Sequence, residues 1–360
     1  MRGGRERSLG FVSNLALMLS SVLFCLVLAE IVLAFVVPPP IIWLDPQETY
    51  VRDADLMHRL TPNQTSFTHS FPVHTNSYGL RDDEFPLLPD VNTFRIICLG
   101  DSLTFGNGVR FEDAWPKQLQ AILNRQEGSS RVQVINAGVS AYDTWQEIDY
   151  LEKYGIEFRP KVVIVGFYAN DVVPKPLVMP IILSSVEEPG SLKREGWKGL
   201  LSDEVVHLLK RSRTLLFLQD RIGKLTNFVR SSSQYSHKEA MLLGLPHPFI
   251  EEGWKQVDMS LRKLQQLSES HGFQVLLVVF PMEDQIVGQY GSDGYQVRLR
   301  RIVENIGIPV VDLMPAFRSA VDGFGSLFIE WDGHPNARAY GIAAEEVRRA
   351  LIALLQKKKA

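Results

Sequence analysis

The sequence predicts an α/β protein built on a parallel sheet with helices on both faces. Short apolar runs typical of buried strands alternate with segments of helical spacing from residue 94 onwards. Polar residues suited to chemistry directly follow several of these runs, where ligand sites form in such sheets. The predicted strands are 94–99, 132–135, 162–165, 274–280 and 309–313, and the predicted helices are 115–123, 144–154, 257–270, 296–305 and 337–355.

The amino-terminal segment is typical of a membrane anchor. Residues 15–37 are apolar except for two serines and Glu30, and about 20 such residues cross a bilayer. Three arginines precede the run and acidic residues follow it, which predicts an amino terminus inside the cytoplasm and the remainder outside. Glu30 lies near the outer end, where it could reach the interface. A cleaved signal peptide and a buried core helix are the alternatives, and we favour the uncleaved anchor.

The chain divides into three predicted parts. Residues 1–40 form the cytoplasmic tail and transmembrane anchor, which three prolines end at Pro38–Pro40. Residues 41–93 form a stalk with an early packing segment. Residues 94–360 form the main domain, in which an insertion at about 174–252 interrupts the strand–helix alternation. That insertion is either a lid over the site or a plain packing element.

A serine and a histidine suggest nucleophilic catalysis. Ser102 follows the first strand and Gly100-Asp101, and a serine hydroxyl needs a histidine base and an oxyanion hole to act as a nucleophile. His334 precedes the last helix beside Asp332, and a neighbouring acid suits a base held in one tautomer. Taken singly, these residues could equally be a helix cap and a surface loop.

Two further strand ends carry possible oxyanion donors. Gly138 follows the second predicted strand in the run Asn136-Ala137-Gly138, and a glycine there allows its N–H to approach a substrate oxygen closely. Asn170 follows the third strand with a side-chain amide that can donate to an oxyanion, and Asp171 could fix its loop. A tight turn and an Asx turn are the simpler interpretations of these residues.

Together the four groups resemble the SGNH, or GDSL, hydrolase family, in its membrane-anchored bacterial type. The family's four blocks are matched by Gly100-Asp101-Ser102, by Gly138, by Asn170-Asp171 and by His334-Pro335-Asn336. The resemblance covers roughly residues 94–355 and implies a flavodoxin-like, three-layer αβα fold. It also implies an oxyanion hole formed by the Ser102 N–H, the Gly138 N–H and the Asn170 amide.

The sequence departs from this family at two positions. The position three residues before the histidine, where the family usually has its acid, holds Trp331. Of the acids nearby, Asp332 is favoured over Glu330, because a flexible Gly333 could let it reach the imidazole, and a backbone carbonyl is the alternative. The glycine two residues before the asparagine is replaced by Tyr168, and Gly166 lies four before. The second departure concerns the shape of the loop rather than Asn170 itself.

The sequence therefore predicts a serine esterase that hydrolyses acyl or acetyl esters through an acyl-enzyme. The alternatives are an O-acyltransferase or deacetylase acting on an envelope polysaccharide or lipid-linked glycan, and a binding module without catalysis. Net charge is −3, so nucleic acid is not an expected partner. No cofactor and no metal are expected, since the two cysteines and the other histidines lack metal-ligand spacing and no phosphate-binding glycine loop is present.

Overall fold

The computed structural model describes residues 2–36, 44, 46–125, 131–173, 212–215, 217–218, 221, 237–288, 293–321, 326–330 and 332–357. The chain divides into two units, described separately below. The first comprises residues 1–42 and 193–232, and the second comprises residues 43–192 and 233–360. The predicted lid segment falls largely on residues 174–211 and 222–236, which lie outside the described residues, as does Trp331.

The second unit is built on a five-stranded parallel sheet. Four short strands precede it: β1 (Tyr50–Asp53), β2 (Met57–Leu60), β3 (Thr65–Thr68) and β4 (Phe71–His74). The sheet strands are β5 (Thr93–Gly100), β6 (Arg131–Gly138), β7 (Val162–Phe167), β8 (Gln274–Val279) and β9 (Val310–Asp312). Their spatial order is β6-β5-β7-β8-β9, and every neighbouring pair is parallel. This is the flavodoxin-like order, whose crevice opens at the carboxyl ends beside the first strand.

Helices cover both faces of the sheet, which confirms the predicted three-layer α/β fold. The helices of this unit are α2 (Ser102–Phe105), α3 (Trp115–Asn124), α4 (Thr144–Lys153), α5 (His237–Leu243), α6 (Pro248–His271), α7 (Glu283–Ile286), α8 (Tyr295–Ile306), α9 (Met314–Ala320) and α10 (Ala337–Lys357). The first helix of the chain, α1 (Arg2–Val36), belongs to the other unit. Alternate β5 side chains enter two separate cores. Ile97 and Leu99 join the core with α4, α6 and α8, and Ile96 and Cys98 join the core with α3, α9 and α10.

The helix expected over 257–270 begins earlier than predicted. α6 starts at Pro248 and thus includes the end of the expected insertion. The ring of His247 accepts a hydrogen bond from the Phe249 N–H (3.2 Å). Pro248 occupies the first helical position, where an N–H would have no partner within the helix, and proline has none. The apolar spacing in 257–270 could not show this start, because the first turn is defined by caps rather than by a buried face.

Residues 44–92 pack onto the main domain rather than standing apart from it. β1 pairs with β2 and β3 with β4 in two antiparallel hairpins, which the weak periodicity of this segment did not predict. Buried side chains of the hairpins, among them Leu56, Leu60 and Val73, belong to the same apolar core as β5 and α4. The segment expected to be a stalk with an early packing element is therefore a packed layer over most of its length.

The outer edge of the sheet at β6 is covered by side chains. The N–H groups of alternate β6 residues face away from β5 and donate to side-chain oxygens of neighbouring segments. The pairs are Val132 with Asn124 (3.0 Å), Val134 with Gln120 (2.8 Å) and Asn136 with Asp82 (2.8 Å). An uncovered strand edge would offer its N–H groups to another chain, so these contacts close the sheet on this side.

In the first unit, α1 contains a stretch, Asn14–Val36, that is long and apolar enough to cross a membrane, a test that a signal sequence also passes. Glu30 interrupts this stretch, and its carboxylate accepts hydrogen bonds from Ser212 Oγ (2.8 Å) and from the N–H groups of Arg213 (2.7 Å) and Thr214 (3.1 Å). Helical structure begins at Arg213, and the first N–H groups of a helix lack intrahelical partners. Glu30 thus caps a second helical segment.

Candidate active site

Ser102 lies at the carboxyl end of β5, as the sequence predicts. It is the first residue of α2, and its side chain is half-buried. Asp101 precedes it as the helix cap and accepts a hydrogen bond from the Leu103 N–H (2.8 Å). Since α2 is a single turn, it lacks the summed dipole of a long helix, and only its local N–H groups can act on a bound anion. The Ser102 N–H, as the first of the helix, has no intrahelical partner.

The turn that carries Ser102 is tightly enclosed. A Cβ atom at Gly138 would lie 2.2 Å from the Phe105 nitrogen, so the end of β6 can approach α2 only without a side chain. The fully buried Arg81 guanidinium donates to the carbonyl oxygens of Phe105 (3.0 Å), Gly106 (2.7 Å) and Val109 (2.8 Å). These bonds satisfy carbonyls that a helix end leaves open, and they hold the turn in place.

His334 reaches Ser102 from the loop before α10. Its Nε2 lies 2.8 Å from Ser102 Oγ, and its Nδ1 is hydrogen-bonded to Asp332 Oδ1. An ionised carboxylate only accepts hydrogen bonds, so Nδ1 carries the proton and Nε2 is left to accept from the serine hydroxyl. The structure thus joins Ser102, His334 and Asp332 in one chain of hydrogen bonds.

A glycine makes the close spacing of Asp332 and His334 possible. Gly333 has a φ of 82°, a left-handed conformation that glycine adopts without steric cost. The chain therefore folds back, and Asp332 Oδ1 also accepts the backbone N–H of His334 (3.2 Å). An acid two residues before the histidine can reach the imidazole here, which the family spacing of three did not predict.

The charge of Asp332 controls the protonation of His334. Burial by itself would lower the pKa of His334, because it disfavours the charged ring. The hydrogen bond and charge of Asp332, assisted by Asp101 and Glu48, outweigh burial and raise the pKa of His334 above its ordinary 6.5. Burial raises the pKa of Asp332, but hydrogen bonds from His334 and His69 outweigh it and hold that pKa below its usual range.

Asn170 and the two supporting aspartates connect neighbouring strand ends. Asn170 lies in the 3-10 turn Ala169–Val172 after β7, and its Nδ2 donates to Asp101 Oδ2 (2.6 Å). An amide nitrogen has two N–H donors, so one remains for a ligand. Asp171 accepts hydrogen bonds from the N–H groups of Thr144 (2.8 Å) and Tyr168 (2.8 Å), which ties the Asn170 loop to the start of α4.

Gly138 was expected to donate its N–H to the oxyanion hole, but in the structure this N–H has another partner. It donates to the side-chain oxygen of Asn136 (3.1 Å). It also continues the row of alternate β6 N–H groups that face away from β5, because strand residues two apart point the same way. The geometry therefore assigns Gly138 to the close packing of β6 against α2 rather than to a donor aimed at Ser102.

One side chain of this site was not predicted. His69 Nε2 lies 3.0 Å from Asp332 Oδ2, and the His69 side chain is 3% exposed. No motif surrounds His69 in the sequence, so no local signal could have assigned it. Within the described residues, no group of three or more His, Cys, Asp or Glu side chains is arranged to hold a metal ion.

One family profile and several solved structures are similar to this chain. A sequence profile described as the GDSL-like lipase/acylhydrolase family matches residues 98–342. No match was found among curated protein sequences. Similar solved structures include a two-domain esterase (CEX) active on acetylated mannans, at 15% identity and a TM-score of 0.43, with 72% of this chain and 49% of that chain covered. This chain thus spans about half the length of that esterase.

Two other similar structures are covered almost completely. TesA is 16% identical with a TM-score of 0.40, and the similarity covers 71% of this chain and 97% of that chain. The psychrotrophic esterase EstA from Pseudoalteromonas sp. is 16% identical with a TM-score of 0.41, with 74% of this chain and 99% of that chain covered.

The family profile spans more than half of the sequence, from within β5 to within α10, and the chain belongs to the GDSL-like lipase/acylhydrolase family of ester hydrolases.

Proposed function

We propose that the chain is a serine esterase that hydrolyses carboxylic esters, such as acetyl or other acyl esters, through an acyl-enzyme at Ser102. The observation that carries this proposal is the hydrogen-bonded chain from Ser102 Oγ through the His334 ring to Asp332. A serine hydroxyl becomes an effective nucleophile when a neighbouring base accepts its proton, and that base works best when a third group orients it.

The reaction proceeds by two displacements. His334 Nε2 takes the Ser102 proton while Oγ attacks the ester carbonyl, and Asp332 stabilises the imidazolium that forms. The tetrahedral intermediate collapses, the alcohol leaves with the proton from His334, and the acyl group stays on Ser102. His334 then takes a proton from water as it attacks the acyl carbon, and the second tetrahedral intermediate releases the carboxylic acid while His334 returns the proton to Ser102 Oγ.

The negative oxygen of each tetrahedral intermediate needs donors that are already in place. The Ser102 N–H, at the start of α2, and the second N–H of the Asn170 amide are the donors we assign. Asp101 fixes both, because its carboxylate accepts from Asn170 and from the Leu103 N–H of the same helical turn. The Gly138 N–H is left out of this assignment because it is donated to Asn136.

We expect Ser102→Ala to abolish hydrolysis of p-nitrophenyl acetate by the full-length protein. Loss of the nucleophile should lower kcat roughly 1000-fold or more, because the remaining groups can only assist attack by water. The measurement is steady-state release of p-nitrophenol. Ser270→Ala is the matched control, since Ser270 is exposed in the last turn of α6 and donates only to the Leu267 carbonyl (3.1 Å).

Wild-type turnover by the Ser102→Ala protein would contradict the assignment of the nucleophile.

Product analysis of the wild-type protein with an added glycan acceptor separates hydrolysis from acyl transfer, which the Ser102→Ala variant cannot do because both reactions begin with the same acyl-enzyme. If acylated glycan were the main product, the proposed function would be that of an O-acyltransferase instead of an esterase.

We expect Asp332→Asn to change the pH profile as well as the rate. The base must be neutral to accept a proton, so wild-type kcat/KM should fall as pH drops through a pKa above 6.5. The substitution removes the charge that raises the pKa of His334, so the residual activity should persist to lower pH. Because the ring also loses its fixed tautomer, kcat should fall about 10,000-fold.

Asp258→Asn is the control for this prediction, because Asp258 pairs with Arg262 on the exposed face of α6. The control should keep the wild-type pH profile. An Asp332→Asn enzyme whose rate and profile match those of wild type would remove Asp332 from the mechanism and leave a Ser102–His334 dyad.

We expect Asn170→Ala to lower kcat about 100- to 1000-fold with little change in KM, because an oxyanion donor acts mainly in the transition state. Steady-state kinetics on p-nitrophenyl acetate provide the measurement. Asn124→Ala is the matched control, since Asn124 bonds Val132 near the start of β6, at the opposite end of the sheet from Ser102. A loss confined to KM, or equal losses in both variants, would count against the donor role.

We also propose that α1 anchors the protein as a single transmembrane helix, with the amino terminus in the cytoplasm and the catalytic unit outside. The length and apolar character of Asn14–Val36 support the span. The arginines before it and the acidic residues after it support the orientation. Such a site meets esters of the cell envelope or its surroundings rather than cytosolic metabolites.

We expect a full-length protein carrying alkaline phosphatase after residue 360 to stay in bacterial membranes after alkaline carbonate extraction and to show phosphatase activity, since that enzyme is active only outside the cytoplasm. Replacing Arg2, Arg5 and Arg7 by glutamate should reduce that activity, because the charge bias is removed. Release of a shorter, soluble product would instead identify the segment as a cleaved signal sequence.

A further inference from the structure

We propose that His69, from the turn of the β3–β4 hairpin, is a positioning residue that holds Asp332 against His334. The proposal rests on the proposed serine-esterase function. His69 Nε2 donates to Asp332 Oδ2 (3.0 Å), while Asp332 Oδ1 accepts from His334 Nδ1. Since an ionised carboxylate is only an acceptor, the His69 ring carries its proton on Nε2.

Asp332 needs such a partner because its own chain restrains only one of its oxygens. Oδ1 accepts both the ring and the backbone N–H of His334, and the peptide between them passes through the left-handed Gly333. A partial rotation about the Cβ–Cγ bond, short of the half-turn that exchanges the two equivalent oxygens, would carry Oδ1 away from the His334 ring. The bond from His69 to Oδ2 opposes that rotation and gives the second oxygen of this partly desolvated carboxylate a donor.

His69 is itself held firmly. The Gln47 side chain bonds its backbone twice, accepting from the His69 N–H (3.2 Å) and donating to the His69 carbonyl (3.1 Å). A Cβ atom at Gly108 would lie 2.6 Å from His69 Nδ1 and 2.5 Å from Ile329 Cδ1, so the ring fills a space that only glycine leaves open. The ring thus has little freedom to leave Asp332.

The backbone of His69 adopts a conformation that is uncommon for residues other than glycine. Its φ is 54°, in the left-handed region. Asparagine or glycine would occupy such a two-residue hairpin turn with less strain. Strain of this kind is typical of residues whose side chain serves a site, and here the side chain meets the acid that orients the base.

The test compares His69→Asn with His69→Gln in the full-length protein. Asparagine suits the left-handed turn but is too short to reach Asp332, whereas glutamine places an N–H donor near the position of Nε2. We expect His69→Asn to lower kcat on p-nitrophenyl acetate about 10- to 100-fold with unchanged KM, because a misplaced base is costly. His69→Gln should recover most of that loss. His74→Asn, an exposed histidine in β4 of the same hairpin, should behave as wild type.

A second measurement does not depend on turnover. In Ser102→Ala protein with ¹³C-labelled histidine, NMR titration reports the pKa of His334, whose charged neighbours are Asp332, Asp101 and Glu48. The positioning role predicts that His69→Asn lowers this pKa toward 6.5, because Asp332 rotates away, and that His69→Gln restores it. An unchanged or higher pKa in His69→Asn would overturn the proposal, as would equal losses of kcat in both variants. If the wild type hydrolyses no ester, the titration still decides the role of His69.

Discussion

The register of three parallel strands brings the residues of the proposed active site together. Gly100 of β5 is paired with Gly138 of β6, and Leu99 is paired with Val165 of β7, so the three strands end at nearly the same level. The chain leaves each strand end into a turn, and the turns after β5 and β7 carry Ser102 and Asn170. Because backbone hydrogen bonds set this register along the whole sheet, a shift of one residue would separate the proposed nucleophile from its proposed oxyanion donor.

The half-buried carboxylate of Asp332 links this strand edge to the amino-terminal hairpins. Desolvation of Asp332 is unfavourable unless donors surround it, and the two imidazoles of His334 and His69 provide them from opposite parts of the chain. In the same segment, Arg81 donates to carbonyl oxygens of the turn after Ser102, and Asp82 accepts a hydrogen bond from an N–H at the edge of β6. The described part of residues 44–92 therefore contacts the site through His69, Arg81 and Asp82 and also packs into the common core.

The predicted fold agrees with the structure wherever burial is periodic in the sequence. The five sheet strands, and α3, α4, α8 and α10, begin and end close to the predicted residues, because their apolar side chains enter the two cores at regular intervals. The four short hairpin strands were missed. Each has only four residues, and β2 and β3 mix the buried polar side chains His58 and Ser66 with apolar ones, so no alternating pattern stands out.

The sequence by itself determined the α/β class, the apolar amino-terminal helix and the residues that meet at the strand edge, since these depend on local composition and on motifs with specific spacing. Only the tertiary structure decided how those residues are connected. Asp332 reaches His334 through a left-handed glycine, and the Gly138 N–H faces the sheet edge because of strand parity. His69 lies next to Asp332 although 263 positions separate them in the chain. Contacts over such distances depend on how the chain packs, which no local pattern records.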